Sequence, residues 1–125
     1  MDQNSPPIIN SIQLLKAEIL SPDWTLSPRR NANLKTAMIH LHIFFTKRRY
    51  PKGLVAMTKQ LLYHLRHHHT PNNNAIDLLK EIMAHIVTIF EKDAPDLLFE
   101  KSICAHGLRQ LKRIGISLDV KPSPP

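Results

Sequence analysis

AIDLLKEIMAHIVTIFEK, residues 75–92, decides the fold. Ile76, Leu79, Met83, Ile86 and Phe90 recur at alternating steps of three and four, the period of one face of an α-helix. Leu78, Ile82 and Ile89 form a second apolar seam beside the first. A helix with two seams must bury two sides, so this segment is expected to be central in a helical assembly.

The flanking sequence supplies its neighbours. Before it, Thr70-Pro71 and Asn72-Asn73-Asn74 mark a turn, and one of the asparagines is expected to cap the central helix. A preceding helix is predicted over about Lys52–His68, with Leu54, Met57, Leu61, Leu65 and His68 on one stripe and Val55 and Leu62 beside it. Tyr50-Pro51 reads as a break. Ser27-Pro28 is a helix start, a hydroxyl cap followed by proline in the first turn. From there a helix is predicted to about Arg49, with Leu34, Ala37, Met38, Leu41 and Phe45 inward and Ile43 and Phe44 widening the stripe. A first, shorter helix is expected over Asn10–Leu20 through Ile12, Leu15 and Ile19, stopped by Pro22. Trp24 and Leu26 carry enough apolar surface to anchor the connection that follows it. After the central helix, Asp93-Ala94-Pro95-Asp96 opens a last helix to about Ile114, with Gly115 as its stop and Leu97, Cys104, Leu108 and Leu111 as its expected stripe.

No segment alternates as a strand does. The expected fold is therefore all-α, an antiparallel bundle of four to five helices in a single domain. Residues 1–7 are expected to be a mobile N-terminal segment, 8–116 the bundle and 117–125 a flexible proline-rich tail.

Composition removes several classes of function. One cysteine, Cys104, allows no disulfide within the chain. The three glycines, Gly53, Gly107 and Gly115, form neither GxxxxGK[ST] nor GxGxxG, so no phosphate-cradling loop is predicted. The most apolar windows, Ala37–Phe45 and Ile82–Phe90, are interrupted by His or Thr and fall short of a membrane span. MDQNSPPIIN lacks the basic-then-apolar order of a secretory signal, and with a single thiol the expected compartment is the cytoplasm.

Charge is the distinctive feature. The net charge is +7, and between Asp23 and Asp77 there is no acidic residue at all. That stretch holds nine cations: Arg29, Arg30, Lys35, Lys47, Arg48, Arg49, Lys52, Lys59 and Arg66. Lys35, His42 and Arg49 are seven apart on the predicted second helix, and Lys52, Lys59 and Arg66 are seven apart on the third, so each trio should share an outward stripe. Asp77, Glu81 and Glu91 give the fourth helix an acidic face. Such a hairpin either keeps the chain soluble or docks an anionic partner. The expected contacts are Arg48, Arg49, Lys52, Lys59 and Arg66, each a positive donor to an acidic protein surface. Self-association is the variant in which the acidic fourth helix of one copy meets the hairpin of another, making a homodimer. Nucleic acid is an alternative partner, although no RNP aromatics, zinc-finger spacing or glycine-turned helix-turn-helix is present.

Eight histidines are present. His64 and His68 are four apart, the spacing of a two-ligand zinc half-site, with His67 and His69 beside them. Without HExxH or CxxC no metal site and no cofactor is predicted, and His67, His68 and His69 are expected to cap a helix C-terminus. His40 and His85 lie in apolar stretches and are expected at the core boundary. Ala105-His106-Gly107-Leu108-Arg109 resembles the AHxLKG signature of histidine phosphotransfer domains, which are also helical bundles. Arg109 stands for its lysine and Gln110 for its glycine. That resemblance implies, as another alternative, an exposed His106 that accepts a phosphoryl group.

Cys104 falls in an apolar stripe with no activating group on its face, and short connections leave little material for a pocket. The chain is therefore expected to be a non-enzymatic helical interaction or adaptor module.

Overall fold

A computed structural model describes residues 2–67 and 73–116. Among these residues the secondary structure is entirely helical: α1 (Pro6–Leu20), α2 (Pro28–Phe44), α3 (Arg49–His67), α4 (Asn73–Glu91) and α5 (Leu97–Arg113). The all-α bundle expected from periodicity is the fold observed. The expected tail, His68, His69 and the residue before α4 that would cap it lie outside the described residues.

The helices α1 to α4 form a ring in chain order, α1 on α2, α2 on α3, α3 on α4 and α4 back on α1. α5 lies over the seam between α3 and α4. Contacts between ends show the alternating directions. Gln3, before α1, donates to the Phe90 carbonyl near the end of α4, and Phe44, ending α2, packs on Phe90 at 5.6 Å between ring centroids. Away from that pole Lys80, in the first half of α4, donates to the Ser21 carbonyl just beyond α1.

The core follows the two seams of the quoted stretch. Ala75, Leu78, Leu79, Ile82, Met83, Ile86, Val87 and Ile89 are all buried. Around them close Leu15, Leu34, Met38, Leu41, Phe45, Leu54, Met57 and Leu61, each without solvent exposure. Burying this much apolar side chain is the main force holding the ring together. Trp24 is also buried; its Nε1–H donates to Glu18 at 2.8 Å, and the Arg30 guanidinium lies 5.0 Å from its ring centre. The connection between α1 and α2 is thus anchored as expected.

Three boundaries differ from the sequence expectations. α1 starts at Pro6 rather than near Asn10, because prolines at the first two helical positions lack only N–H groups that have no helical partner there. Ile8 is then buried, and residues 6 and 7 belong to the helix instead of a mobile segment. α2 ends at Phe44 and α3 begins at Arg49, so Pro51 lies inside the first turn of α3 instead of breaking the chain. Arg49 therefore does not continue the line of Lys35 and His42 along α2.

The largest correction concerns α5. Its buried row is Glu100, Ile103, Gly107 and Leu111. Leu97 and Leu108, expected inside, are exposed, and Cys104 is only half-buried. Of the expected stripe only Leu111 lies in the buried row; the other letters pointed away from it because a glycine and a carboxylate occupy the inner side. A Cβ on Gly107 would stand 2.8 Å from the Met57 Sδ, so a hydrogen there lets α5 settle closely on α3.

Candidate interaction surface

The nine cations of the acid-free stretch divide into two groups. Arg30 and Arg48 turn inward. Arg30 forms an ion pair with Glu18, donates to the Thr25 carbonyl and the Ser21 hydroxyl, and covers Trp24. Arg48, in the turn between α2 and α3, reaches Glu100 Oε2 at 2.8 Å and stands 5.6 Å from the Phe45 ring centre. Arg48 was expected to face a partner; its charge is instead met by a carboxylate that is 1% exposed. Glu100 Oε2 also accepts the Asp96 backbone N–H at 3.1 Å, while its Oε1 is buried without a hydrogen-bond partner. No sequence pattern links Arg48 to Glu100, which is brought to it only by the folding of α5 over α3.

The other seven form no ion pair with a carboxylate among the described residues. Arg29, Lys35, Lys47, Arg49, Lys59 and Arg66 are exposed and Lys52 is half-buried. Arg49 stacks toward Tyr50 at 5.7 Å. Lys52, Lys59 and Arg66 remain at seven-residue spacing on the single continuous helix α3, so the expected stripe exists there.

One member of this surface has no counterpart among the sequence expectations. Tyr63, between Lys59 and Arg66 on α3, is 64% exposed and lies 4.2 Å from the His67 ring centre. Its position four residues after Lys59 was the available signal, since that step keeps a side chain on the same helical face. Beside Arg66 the stripe ends at a cleft of about 520 Å³ lined by Leu26, Ser27, Pro28, Asn31, Leu65 and Arg66.

The acidic face of α4 is largely used within the molecule. Glu91 pairs with Lys16 at 2.7 Å, and Glu81 Oε1 lies 3.6 Å from His85 Nε2 and 3.2 Å from His106 Nε2. Only Asp77 of the three expected acids lacks an ion pair among the described residues.

The same contact bears on His106. A phosphoryl group arriving at its Nε2 would meet the Glu81 carboxylate, a like-charge encounter. Burial raises the Cys104 thiol above its ordinary value, with Arg49 pulling weakly the other way, so the thiolate needed of a nucleophile is disfavoured. His40 is a boundary histidine, its Nδ1 3.4 Å from the Ser11 hydroxyl. Among the described residues no three His, Cys, Asp or Glu side chains are arranged to hold a metal ion, and no helix is long and apolar enough to cross a membrane.

Comparison with known protein families, with curated proteins and with solved structures finds no match.

Proposed function

We propose that this chain is a non-enzymatic interaction module that docks an acidic protein surface along α3. The observation that carries this reading is the line of Lys52, Lys59 and Arg66, at seven-residue steps on one helix and with no carboxylate among the described residues neutralising them. A regular row of like charges matches a regular row of acids, such as the carboxylates of a partner helix at the same repeat. Tyr63 within that row offers an amphipathic ring of the kind enriched at the centre of interfaces. Arg49 extends the row beyond Lys52, whereas Arg48 serves the fold.

Tyr63 also supports a second reading. An exposed aromatic ring flanked by Lys59 and Arg66 is an arrangement on which the bases of single-stranded nucleic acid stack.

The two readings separate with two probes, a polyglutamate chain and a single-stranded oligonucleotide, titrated against rising salt. Docking through the row predicts binding to polyglutamate that weakens with salt and is lost in the double variant Lys59→Glu/Arg66→Glu. A tighter complex with the oligonucleotide, cut about tenfold or more by Tyr63→Ala, would favour the second reading. Binding of either probe that ignores salt and survives the double variant overturns both.

A further inference from the structure

A groove of about 490 Å³ lies between α1 and α2, within the size range of small-ligand sites. Pro7, Asn10 and Leu14 line it from α1, and Asn33, Thr36 and His40 from α2, both rows at steps of three and four. Each row therefore follows its helix for about 10 Å. None of the nine residues lining the groove is Lys, Arg, Asp or Glu, although 22% of the chain is charged, and none is Phe, Tyr or Trp. Asn10, Asn33 and Thr36 are exposed, while Pro7, Leu14 and His40 are half-buried.

Contacts within the groove decide which of its groups donate and which accept. The buried Ser11 hydroxyl also lines it and donates to the Pro7 carbonyl at 2.7 Å, so toward His40 the Ser11 oxygen is an acceptor. His40 Nδ1, 3.4 Å away, then carries the ring proton. In the neutral imidazole this leaves Nε2 as an acceptor, with no partner of its own among the described residues. Thr36 gives its hydroxyl hydrogen to the Ala32 carbonyl at 3.0 Å, so its oxygen is free only to accept. Asn10 and Asn33 each add an amide that both donates and accepts. The complementary ligand is uncharged and rich in donors. A charged one finds no counter-charge to offset its lost hydration, and a nucleobase finds no aromatic ring to stack on.

We infer that the α1–α2 groove is a binding site for a neutral carbohydrate of one or two sugar rings, held by Asn10, Asn33, Thr36 and His40. Sugar hydroxyls supply the donors that the Thr36 oxygen and His40 Nε2 require, and they exchange hydrogen bonds in both directions with the two amides. The C–H face of a sugar ring is apolar and lies against Pro7 and Leu14. Ser11 does not meet the ligand; it is a positioning residue that fixes the His40 proton on Nδ1. Because its own proton goes to the Pro7 carbonyl, His40 does not withdraw it, and the pair binds without acting as nucleophile and base. The groove is open and holds its ligand weakly, in the millimolar range. It uses no residue of the α3 row and does not rest on the function proposed above.

Amide chemical shifts of the full, isotope-labelled chain, titrated with glucose, maltose and lactose, test it, with glucuronate and uridine as charged and aromatic comparators. At least one neutral sugar should give saturable shifts centred on Asn10, Ser11, Asn33, Thr36 and His40, at lower concentration than either comparator. Thr36→Val keeps the shape and removes one acceptor, and should weaken binding about three- to tenfold; Asn33→Leu/Thr36→Val should weaken it about tenfold or more. Both positions are exposed, so the circular dichroism melt should be unchanged. The nitrogen shifts of the neutral His40 ring should place its proton on Nδ1, and Ser11→Ala should move it toward Nε2 and weaken binding several-fold. Lys59→Glu/Arg66→Glu should leave the sugar titration where it was. The inference is overturned by the absence of saturable shifts with all three sugars, by shifts centred elsewhere, by binding indifferent to the double groove variant, by a comparator that binds the groove more tightly, or by a His40 proton found on Nε2 in the natural chain.

Discussion

α4 and α5 lie side by side, yet they are held by different physics. α4 is buried through eight residues of which every one is apolar. α5 is held through two apolar residues, a glycine and a glutamate, aided by the Arg48–Glu100 and His106–Glu81 contacts. The first arrangement depends on area removed from water and tolerates changes of angle. The second depends on a close approach at Gly107 and on a directed ion pair, and it leaves leucines outside. Periodicity of apolar letters therefore locates most of the buried sides of α4 and, Leu111 apart, misplaces the inner face of α5.

The sharpest way to break this comparison is to truncate one apolar residue in each helix. Ile82→Ala in α4 should cost about 3 kcal/mol, the transfer loss plus the cavity left in a closely packed site. Leu98→Ala in α5 should change stability by no more than about 0.5 kcal/mol, because the side chain is already in water. Urea unfolding with an unchanged slope measures both. Comparable losses would show that α5 packs by its leucines after all.

The ion pair comes next in size. Glu100→Ala removes the carboxylate that meets Arg48 and accepts the Asp96 N–H, and should destabilise by about 2–3 kcal/mol. Arg48→Ala should cost a similar amount, since it strands a buried carboxylate, and the double variant should cost much less than the sum of the two. Additive losses would mean that Arg48 and Glu100 act separately and that α5 is held by its apolar contacts alone.

How far the molecule was legible follows from how local each feature is. The seams of α4, the Ser27-Pro28 start of α2 and the Lys52–Lys59–Arg66 row all depend on steps of three, four or seven within one helix, and each is observed. The end of α2 was not legible, because Thr46 to Arg49 carries no apolar rhythm and Pro51 is compatible both with a break and with a first turn. The inward fate of Arg30 and Arg48 was hidden for a different reason. Their partners, Glu18 and Glu100, sit on other helices, and nothing short of the packing of those helices selects them out of ten acids. An acid-free run of sequence is thus not an unneutralised surface; the surface is what remains after distant carboxylates have taken their share.

Cys104 supplies the smallest effect and the finest test of how α5 is seated. Its thiol touches the α3 backbone side at Gly53, where a Cβ would stand 3.2 Å from the Sγ. Burial raises its pKa above 9.0, so the folded chain holds this proton to higher pH than the unfolded chain does. Above about pH 9 the unfolded state then binds fewer protons, and stability must fall as pH rises, the loss levelling off once the folded thiol has ionised as well. Below that pH the thiol is neutral in both states and contributes no slope. Because Cys104 is only half-buried and Arg49 opposes the shift, the slope should be far shallower than the ~1.4 kcal/mol per pH unit of one full proton. It should vanish in Cys104→Ala when that variant and the natural chain are unfolded in urea at a series of pH values. An identical alkaline slope in both chains would mean that the thiol sees water freely, and that α5 rides higher on α3 than Gly53 and Gly107 allow.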